Sequence, residues 1–432
     1  MITIPRKKIR EFDAKRLLQA NLNRYANPHP IQLSLECALA TPETDLEALP
    51  PQYAWLTAKK LVVKPDQLFT RKGKNSLVLL NAGWEEAKKF IRENQGKEIA
   101  MGNAKGELTH FLIEPFIEHE DEYFLAIVSQ REEDVILFSE KGGVDVEEHW
   151  NKVIQIPVPI GTPIEQVEIA SQLNGVPPEK KARLAAFIKA LYRYYADFDY
   201  VYMEMNPLAF DKQGNVVPLG FVAELDDCAA FKNEAKWADT AFPQPFGRTP
   251  YPEEKFVKEL DAQTGASLKL TILNPNGRIW LLVAGGGASV IYTDTVVDLG
   301  YGLELANYGE YSGDPNEEET YQYAKTIIDL ATRNPKQETG NRILLIGGGV
   351  ANFTDVANTF KGIIRALREY REKLQKTHMR IFVRRGGPNY QEGLENMRAL
   401  GKELGIPIEV YGPETHMTNI VSLAVRQLGE KK

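Results

Sequence analysis

The chain has only two cysteines, Cys37 and Cys228, far apart in 432 residues. That excludes a disulfide framework and a cysteine-rich metal site. No apolar run approaches the ~18 residues that a membrane span needs. There is no surplus of positive charge: 52 Lys and Arg face 59 Asp and Glu, a net charge of -7, which argues against nucleic acid as the main partner. There is no Gly-x-x-x-x-Gly-Lys-Ser/Thr motif, so a P-loop nucleotide site is not expected. The opening ten residues carry basic groups with no long apolar stretch behind them, unlike a secretory signal. Internal repeats and low-complexity tracts are absent too. What is there is ordinary globular composition, 43% hydrophobic and 26% charged, at a length sufficient for two or three domains. A cytoplasmic enzyme or enzyme subunit is the expectation.

The pattern along the chain changes once. Residues 7–22 predict an amphipathic helix with Ile9, Phe12, Leu17 and Leu18 as its apolar positions. Strand character dominates next, at 61–64, 76–80, 111–116, 123–129 and 135–139. Helices are predicted at about 164–174 and 178–196. A strand at 200–206 puts Tyr200, Tyr202, Glu204 and Asn206 on one face, and another follows at about 216–226. Prolines at 243, 245, 250 and 252 then predict a domain boundary. Beyond it, strands at about 279–284, 302–306, 343–346, 380–383 and 407–411 alternate with helices at 288–298, 318–332, 355–373, 389–404 and 416–427. Such alternation predicts a parallel sheet covered by helices on both faces.

In an open parallel sheet, ligands bind beyond the carboxyl ends of the strands. Five segments fall there: 284–289, 307–313, 346–356, 384–389 and 411–416. Two are triple-glycine turns ahead of helices, where exposed backbone N–H groups and the helix dipole favour an anion. Asn352 and Thr354 add side-chain hydrogen bonding, and either is placed to cap the following helix. Arg384 and Arg385 offer guanidinium forks that suit a carboxylate, and since neighbours on a strand point to opposite faces, at most one reaches the site. A small polycarboxylate or a phosphate suits this convergence. His416 lacks a paired carboxylate motif and reads as structural. In the first half, Lys64 ends an apolar strand, and the basic turn at 70–74 is either a triphosphate cradle or an exposed hairpin. Glu204 and Asn206 share a strand face, and oxygen ligands of this kind suit Mg²⁺.

The motifs at 61–68, 113–116, 204–208, 274–280, 351–354, 382–393 and 415–418 run nearly end to end. Together they resemble the nucleotide- and citrate-binding part of the ATP-citrate lyase family and, more distantly, the beta subunit of succinyl-CoA synthetase. The resemblance implies an α/β architecture: an ATP-grasp region over 1–245, then a flavodoxin-like CoA-ligase domain over 246–432 that binds citrate. It implies cleavage of citrate, with ATP and CoA, to acetyl-CoA and oxaloacetate through phosphohistidine, citryl phosphate and citryl-CoA. The phosphorylated histidine and the cleavage module belong to other sequence regions of the family. The chain is therefore expected to carry no catalytic residue of its own. It is expected to need a B-type partner subunit with succinyl-CoA synthetase alpha-like and citryl-CoA lyase modules, which would bind most of the CoA. A citryl-CoA synthetase subunit and a regulatory citrate-binding subunit are the alternatives.

Carried over position by position, the resemblance implies nucleotide contacts at Lys64, Lys72, Gly73, Pro115, Ile117 and Glu122. Citrate contacts fall on Gly313, Asn352, Thr354, Tyr370 and Arg385. Asp261, Thr264 and the backbone of Ala266 match a structural Mg²⁺ site. The helix at 389–404 would aim its N-terminus at the partner's phosphohistidine. Two positions depart from the family pattern. Gly349 stands where some relatives have Ser. Gly220 stands where relatives carry an Asp that, with Asn206, holds the catalytic Mg²⁺. Glu224, four residues along the strand and roughly 13 Å away, does not replace it.

Overall fold

The computed structural model describes residues 6–69, 77–102, 104–333 and 341–428. The chain divides into two compact units, Met1–Thr249 and Pro250–Lys432, and the division falls inside the proline stretch. Among the described residues, no helix is long and apolar enough to cross a membrane.

The first unit is built on antiparallel sheets. The largest has the strand order Arg6–Ile9, Phe221–Asp226, Tyr200–Phe210, Tyr123–Ser129, Glu133–Ser139, Ile154–Pro159, with Val216–Pro218 paired beside Tyr200–Phe210. Helix Pro178–Asp197 starts on a proline, whose missing N–H costs nothing at that position. Its Leu184, Phe187, Ile188, Leu191 and Tyr195 share one core cluster with Leu125, Ile127, Met203 and Met205 of the strands. A four-stranded sheet runs Ala38–Ala40, Phe111–Pro115, Leu61–Pro65, Leu79–Ala82. Helix Trp84–Asn94 packs on it through Trp84, Ala87 and Ile91.

Three expectations change here. The segment 7–22 is a strand, Arg6–Ile9, and then a helix, Glu11–Asn21. The break lies at Arg10, which is extended, and Asp66 caps the helix from outside by accepting the N–H groups of Glu11 and Phe12 at 2.9 and 3.0 Å. The segment 164–174 forms two short 3-10 turns, Ile164–Gln166 and Ala170–Gln172. Its buried Ile164, Ile169 and Leu173 are spaced for an irregular chain rather than a helix face. The predicted strand at 76–80 appears at Leu79–Ala82, and residue 76 lies outside the described residues.

The second unit is a six-stranded sheet with helices on both faces. Five parallel strands, Ile279–Ala284, Asn307–Ser312, Arg342–Gly348, Met379–Arg384 and Ile408–Tyr411, lie in the order 2-1-3-4-5 by chain position. This is the flavodoxin-like order, with its switch point between the first and third strands. Ser267–Ile272 adds an antiparallel edge beside Asn307–Ser312. Ile343–Ile346 is buried on both faces, as a covered parallel sheet requires. Alternate residues Leu344, Ile346, Ile381 and Val383 meet helices Glu317–Thr332, Val356–Glu369 and Tyr390–Leu404. Ile343, Leu345 and Phe382 meet helices Gly286–Asp298 and Asn419–Val425 on the other face. The strand predicted at 302–306 is instead Asn307–Ser312, preceded by a 3-10 turn at Gly302–Glu304. Its anchor is polar: the Asn307 amide donates to Leu281 O at 2.9 Å and accepts from Leu281 N at 2.8 Å.

Candidate functional site

At the switch point of the second unit, the carboxyl ends of the strands open on a cavity of about 290 Å³. Its wall includes Gly313, Gly349, Thr354 and Arg385. The three consecutive glycines have three separate reasons. A Cβ at Gly347 would lie 2.4 Å from the Tyr292 ring, and one at Gly348 would lie 2.7 Å from the Arg385 guanidinium, while Gly349 faces open space. The first two make room for an aromatic ring and a cation. The third leaves backbone facing the cavity.

Arg385 is 5% exposed. Its Nη1 donates to Gly349 O at 2.7 Å, and its Nε is buried with no partner. Among the described residues it has no carboxylate partner. Burial pulls its pKa down, with Arg384 adding to the shift, yet a guanidinium stays charged. A buried cation without a counter-charge is costly, and a carboxylate ligand supplies what the fold does not. The Tyr311 hydroxyl, on the same wall, is likewise buried without a partner. Arg384 turns the other way and is spent on structure, donating to Gly348 O, Thr415 O and Pro413 O at 2.9, 2.9 and 3.2 Å. One arginine of the pair reaches the site, as strand alternation requires.

Helix Gly286–Asp298 begins beside this cavity, after Gly285 in a positive-φ conformation (φ 96°) that favours glycine. Neither Asn352 nor Thr354 caps the next helix. Asp355 does, accepting from Asn358 N at 2.9 Å, so Thr354 lines the cavity and Asn352 sits exposed between the cavity residues Ala351 and Phe353. Tyr370 is not brought to this place. It follows the 14-residue helix Val356–Glu369, roughly 21 Å along its axis. There its hydroxyl donates to Asp329 at 3.1 Å, and the Lys373 ammonium lies over its ring. His416 is exposed, its Nδ1 2.8 Å from the Thr418 hydroxyl.

Asp261, Thr264 and Ala266 do come together, at the end of helix Pro252–Gln263. The Thr264 hydroxyl donates to Ala266 O at 3.4 Å. The Asp261 carboxylate accepts from Leu268 N at 2.8 Å and pairs with Lys269 at 2.6 Å. Burial would raise the Asp261 pKa, but Lys269 and the Leu268 N–H bring it below the usual carboxylate range. Carboxylate, hydroxyl and carbonyl oxygens are the donor types Mg²⁺ takes, so this set fits that ion in kind, with Lys269 as the competing cation. Among the described residues, no three or more His, Cys, Asp or Glu side chains gather into a group that could hold a metal ion.

In the first unit, a cavity of about 260 Å³ is lined by Lys64, Pro115, Ile117 and Glu122 together, with apolar walls from Val62, Leu80 and Val217. Lys72 and Gly73 lie outside the described residues. Lys64 is paired with Glu11 at 2.7 Å and Glu114 at 2.9 Å. Burial would lower its pKa; the two carboxylates outweigh that and hold it above the usual lysine value. Glu122 contacts His119 Nε2 at 2.9 Å.

Asn206 and Gly220 do not make a carboxylate-held metal site. The Asn206 Oδ1 accepts from Gly143 N at 2.6 Å. A Cβ at Gly220 would lie 2.2 Å from the Asn206 carbonyl oxygen, so this backbone admits only glycine there. Glu224 is paired with Arg6 and Lys8, Glu204 accepts from the Tyr202 hydroxyl, and Asp226 caps the next turn through Cys228 N.

Sequence reasoning missed the ionic cluster of Glu11, Lys15 and Glu114 around Lys64. Its signals were present: Glu114 interrupts an apolar strand, and Lys15 shares a helix face with Glu11, Ala14 and Leu18.

The family described as ATP-citrate synthase ATP-grasp domain matches residues 5–237, and ATP citrate lyase citrate-binding matches residues 248–427. A rice protein, ATP-citrate synthase alpha chain protein 2, is 52% identical over 97% of this chain and 98% of its own length. Human ATP-citrate synthase is 49% identical over 91% of this chain, which covers 36% of that longer protein. The structure of ATP citrate lyase from Methanothrix soehngenii in complex with citrate and coenzyme A superposes with a TM-score of 0.87 at 53% identity, covering 98% of this chain and 100% of that one. The chain thus belongs to the ATP-citrate lyase family, as an alpha-type chain with an ATP-grasp region and a citrate-binding region.

Proposed function

We propose that the second unit's cavity binds citrate and the first unit's cavity binds ATP, in a hetero-oligomeric, cytoplasmic enzyme whose partner subunit carries the phosphorylated histidine. The observation that carries this reading is Arg385: a buried guanidinium, without a carboxylate partner among the described residues, on the wall of a switch-point cavity. Citrate brings three carboxylates. One pairs with Arg385, and the cavity-facing backbone at Gly349 and the start of helix Gly286–Asp298 offer N–H donors to the others. Thr354 and Asn352 add side-chain donors nearby. Tyr370, at the far end of its helix, takes no part.

In the first unit the apolar walls at Val62, Leu80 and Val217 suit a flat base, and Lys64 supplies positive charge for a polyphosphate. Lys72 and Gly73 remain part of the proposal as phosphate contacts. Mg²⁺, when bound, neutralises phosphate charge. With Gly220 in place of a carboxylate, Asn206 would offer the catalytic ion only a neutral oxygen, and Asp261, Thr264 and Ala266 would offer a separate structural set.

The family resemblance supports the following chemistry. ATP phosphorylates a histidine of the partner, and the phosphoryl group passes to a citrate carboxylate held here. CoA displaces phosphate from the citryl phosphate to give citryl-CoA, which the partner's cleavage module splits to acetyl-CoA and oxaloacetate. Helix Tyr390–Leu404 is proposed to aim its N-terminus at the phosphohistidine. The test is oxaloacetate formation from citrate, ATP and CoA. The chain alone is expected to give none, and the chain with its partner subunit to turn over. Turnover by the chain alone would overturn the division of roles.

A further inference from the structure

The first unit's cavity has a histidine on its wall, His119, beside Ile117 and Glu122. All three lie on the connection from strand Phe111–Pro115 of the four-stranded sheet to strand Tyr123–Ser129 of the largest sheet. Backbone bonds hold both ends of this connection: Phe116 N donates to Lys60 O, and Gly142 N to Glu122 O, each at 2.7 Å. His119 ties the middle to the far end. Its Nδ1 lies 2.8 Å from Ile117 O and its Nε2 2.9 Å from Glu122 Oε1.

A carbonyl and an ionised carboxylate only accept, so the ring makes both bonds when each nitrogen carries a hydrogen. The Ile117 carbonyl orients the ring, and the other nitrogen orients the carboxylate. The second carboxylate oxygen, Oε2, lies against Gly143, where a Cβ would be 2.7 Å away. Gly143 N is committed to Asn206 Oδ1 at 2.6 Å and does not bond the carboxylate. Among the described residues, His119 is therefore the hydrogen-bond donor that the Glu122 carboxylate has. The Glu122 side chain is 42% exposed. A glutamate so open to solvent keeps much of its rotamer freedom unless a bond removes it.

On a nucleotide, a carboxylate repels the phosphates, and the apolar walls at Val62, Leu80 and Val217 suit the faces of the base. The two ribose hydroxyls between them are donors, and an acceptor that meets them fixes the sugar. We propose that His119 is a positioning residue for nucleotide binding: it holds the Glu122 carboxylate where it accepts from the ribose hydroxyls. This rests on the first cavity being the nucleotide site. The ring takes one acceptor position of the carboxylate and leaves others for the sugar.

The experiment is calorimetric titration of ATP and of 2′,3′-dideoxy-ATP into the full chain, as wild type and as His119→Ala. The dideoxy nucleotide keeps the base and the phosphates and lacks both ribose hydroxyls. The wild type is expected to bind ATP at least about tenfold more tightly than the dideoxy nucleotide, as a hydrogen bond to a charged group implies. His119→Ala is expected to lose that preference, with ATP weakened about tenfold and the dideoxy nucleotide bound within about twofold of wild type. Retained dideoxy binding also shows that the variant is folded. A histidine that merely shaped the wall would weaken both nucleotides alike, and that result would overturn the proposal. So would ATP affinity unchanged in His119→Ala, or a wild type that binds the two nucleotides equally. A wild-type chain that takes up neither would instead overturn the nucleotide site itself.

Discussion

Gly348 and Arg385 are built around each other: a Cβ at position 348 would lie 2.7 Å from Arg385 Nη1 and 3.0 Å from Ala284 O. The guanidinium lies where it does because a neighbouring strand ends without a side chain. Gly348→Ala should push Arg385 out of place, weakening citrate binding about tenfold, or about 1.4 kcal/mol. Overpacking should lower stability by about 1–3 kcal/mol. Gly349→Ala, which meets open space, should change stability by less than about 0.5 kcal/mol. Titration and thermal unfolding of both variants check this, and equal behaviour of the two would sink it.

Gly220→Asp should be harmful rather than restorative. The 2.2 Å approach of the Asn206 carbonyl leaves no room for a side chain, so the strand start must shift. A loss of about 1–3 kcal/mol in unfolding free energy is expected. A variant as stable as the wild type, with a lower Mg²⁺ requirement, would show that the backbone adapts and that a carboxylate is welcome there.

Tyr370→Phe should leave citrate affinity untouched. It removes the hydrogen bond to Asp329 and so should cost about 0.5–1.5 kcal/mol of stability. A tenfold loss of citrate affinity would put Tyr370 back in the site.

His110 gives the first unit an acid sensitivity. Burial, helped by Arg10 and opposed by Glu43, pushes its pKa from 6.5 to about 4. The unfolded chain then binds the proton more readily than the folded one. Stability from this group is fully present above pH ~6.5 and is lost as the pH falls towards 4. His110→Asn should flatten that part of the stability–pH curve, measured by denaturant unfolding between pH 4 and 7. An identical slope in both proteins would count against it.

The second unit was legible because alternation of apolar strands and amphipathic helices is a strong signal, and Ile343–Ile346 could hardly be anything but a buried strand. Asn307–Ser312 escaped because it is anchored by an asparagine rather than by aliphatic residues. The helix predicted over 164–174 failed because hydrophobicity without the right spacing does not make a helix. At the sites, strand alternation could say that at most one of Arg384 and Arg385 reaches the ligand, and the resemblance named Arg385. The meaning of Gly348 could not be read, since it lies in a cation just past the end of the neighbouring strand Met379–Arg384. Lys15 was invisible for a similar reason: only the folded chain shows that its acceptors are also those of Lys64.

The central claim is that Arg385 holds a citrate carboxylate in the second unit. The most direct measurement is calorimetric titration of citrate into the full chain, wild type against Arg385→Ala, with ATP titrated in parallel. Loss of a charged hydrogen bond at a desolvated site costs about 2–5 kcal/mol, so citrate affinity should fall by roughly 30-fold to several thousand-fold while ATP affinity stays the same. Citrate affinity unchanged in Arg385→Ala would contradict the account.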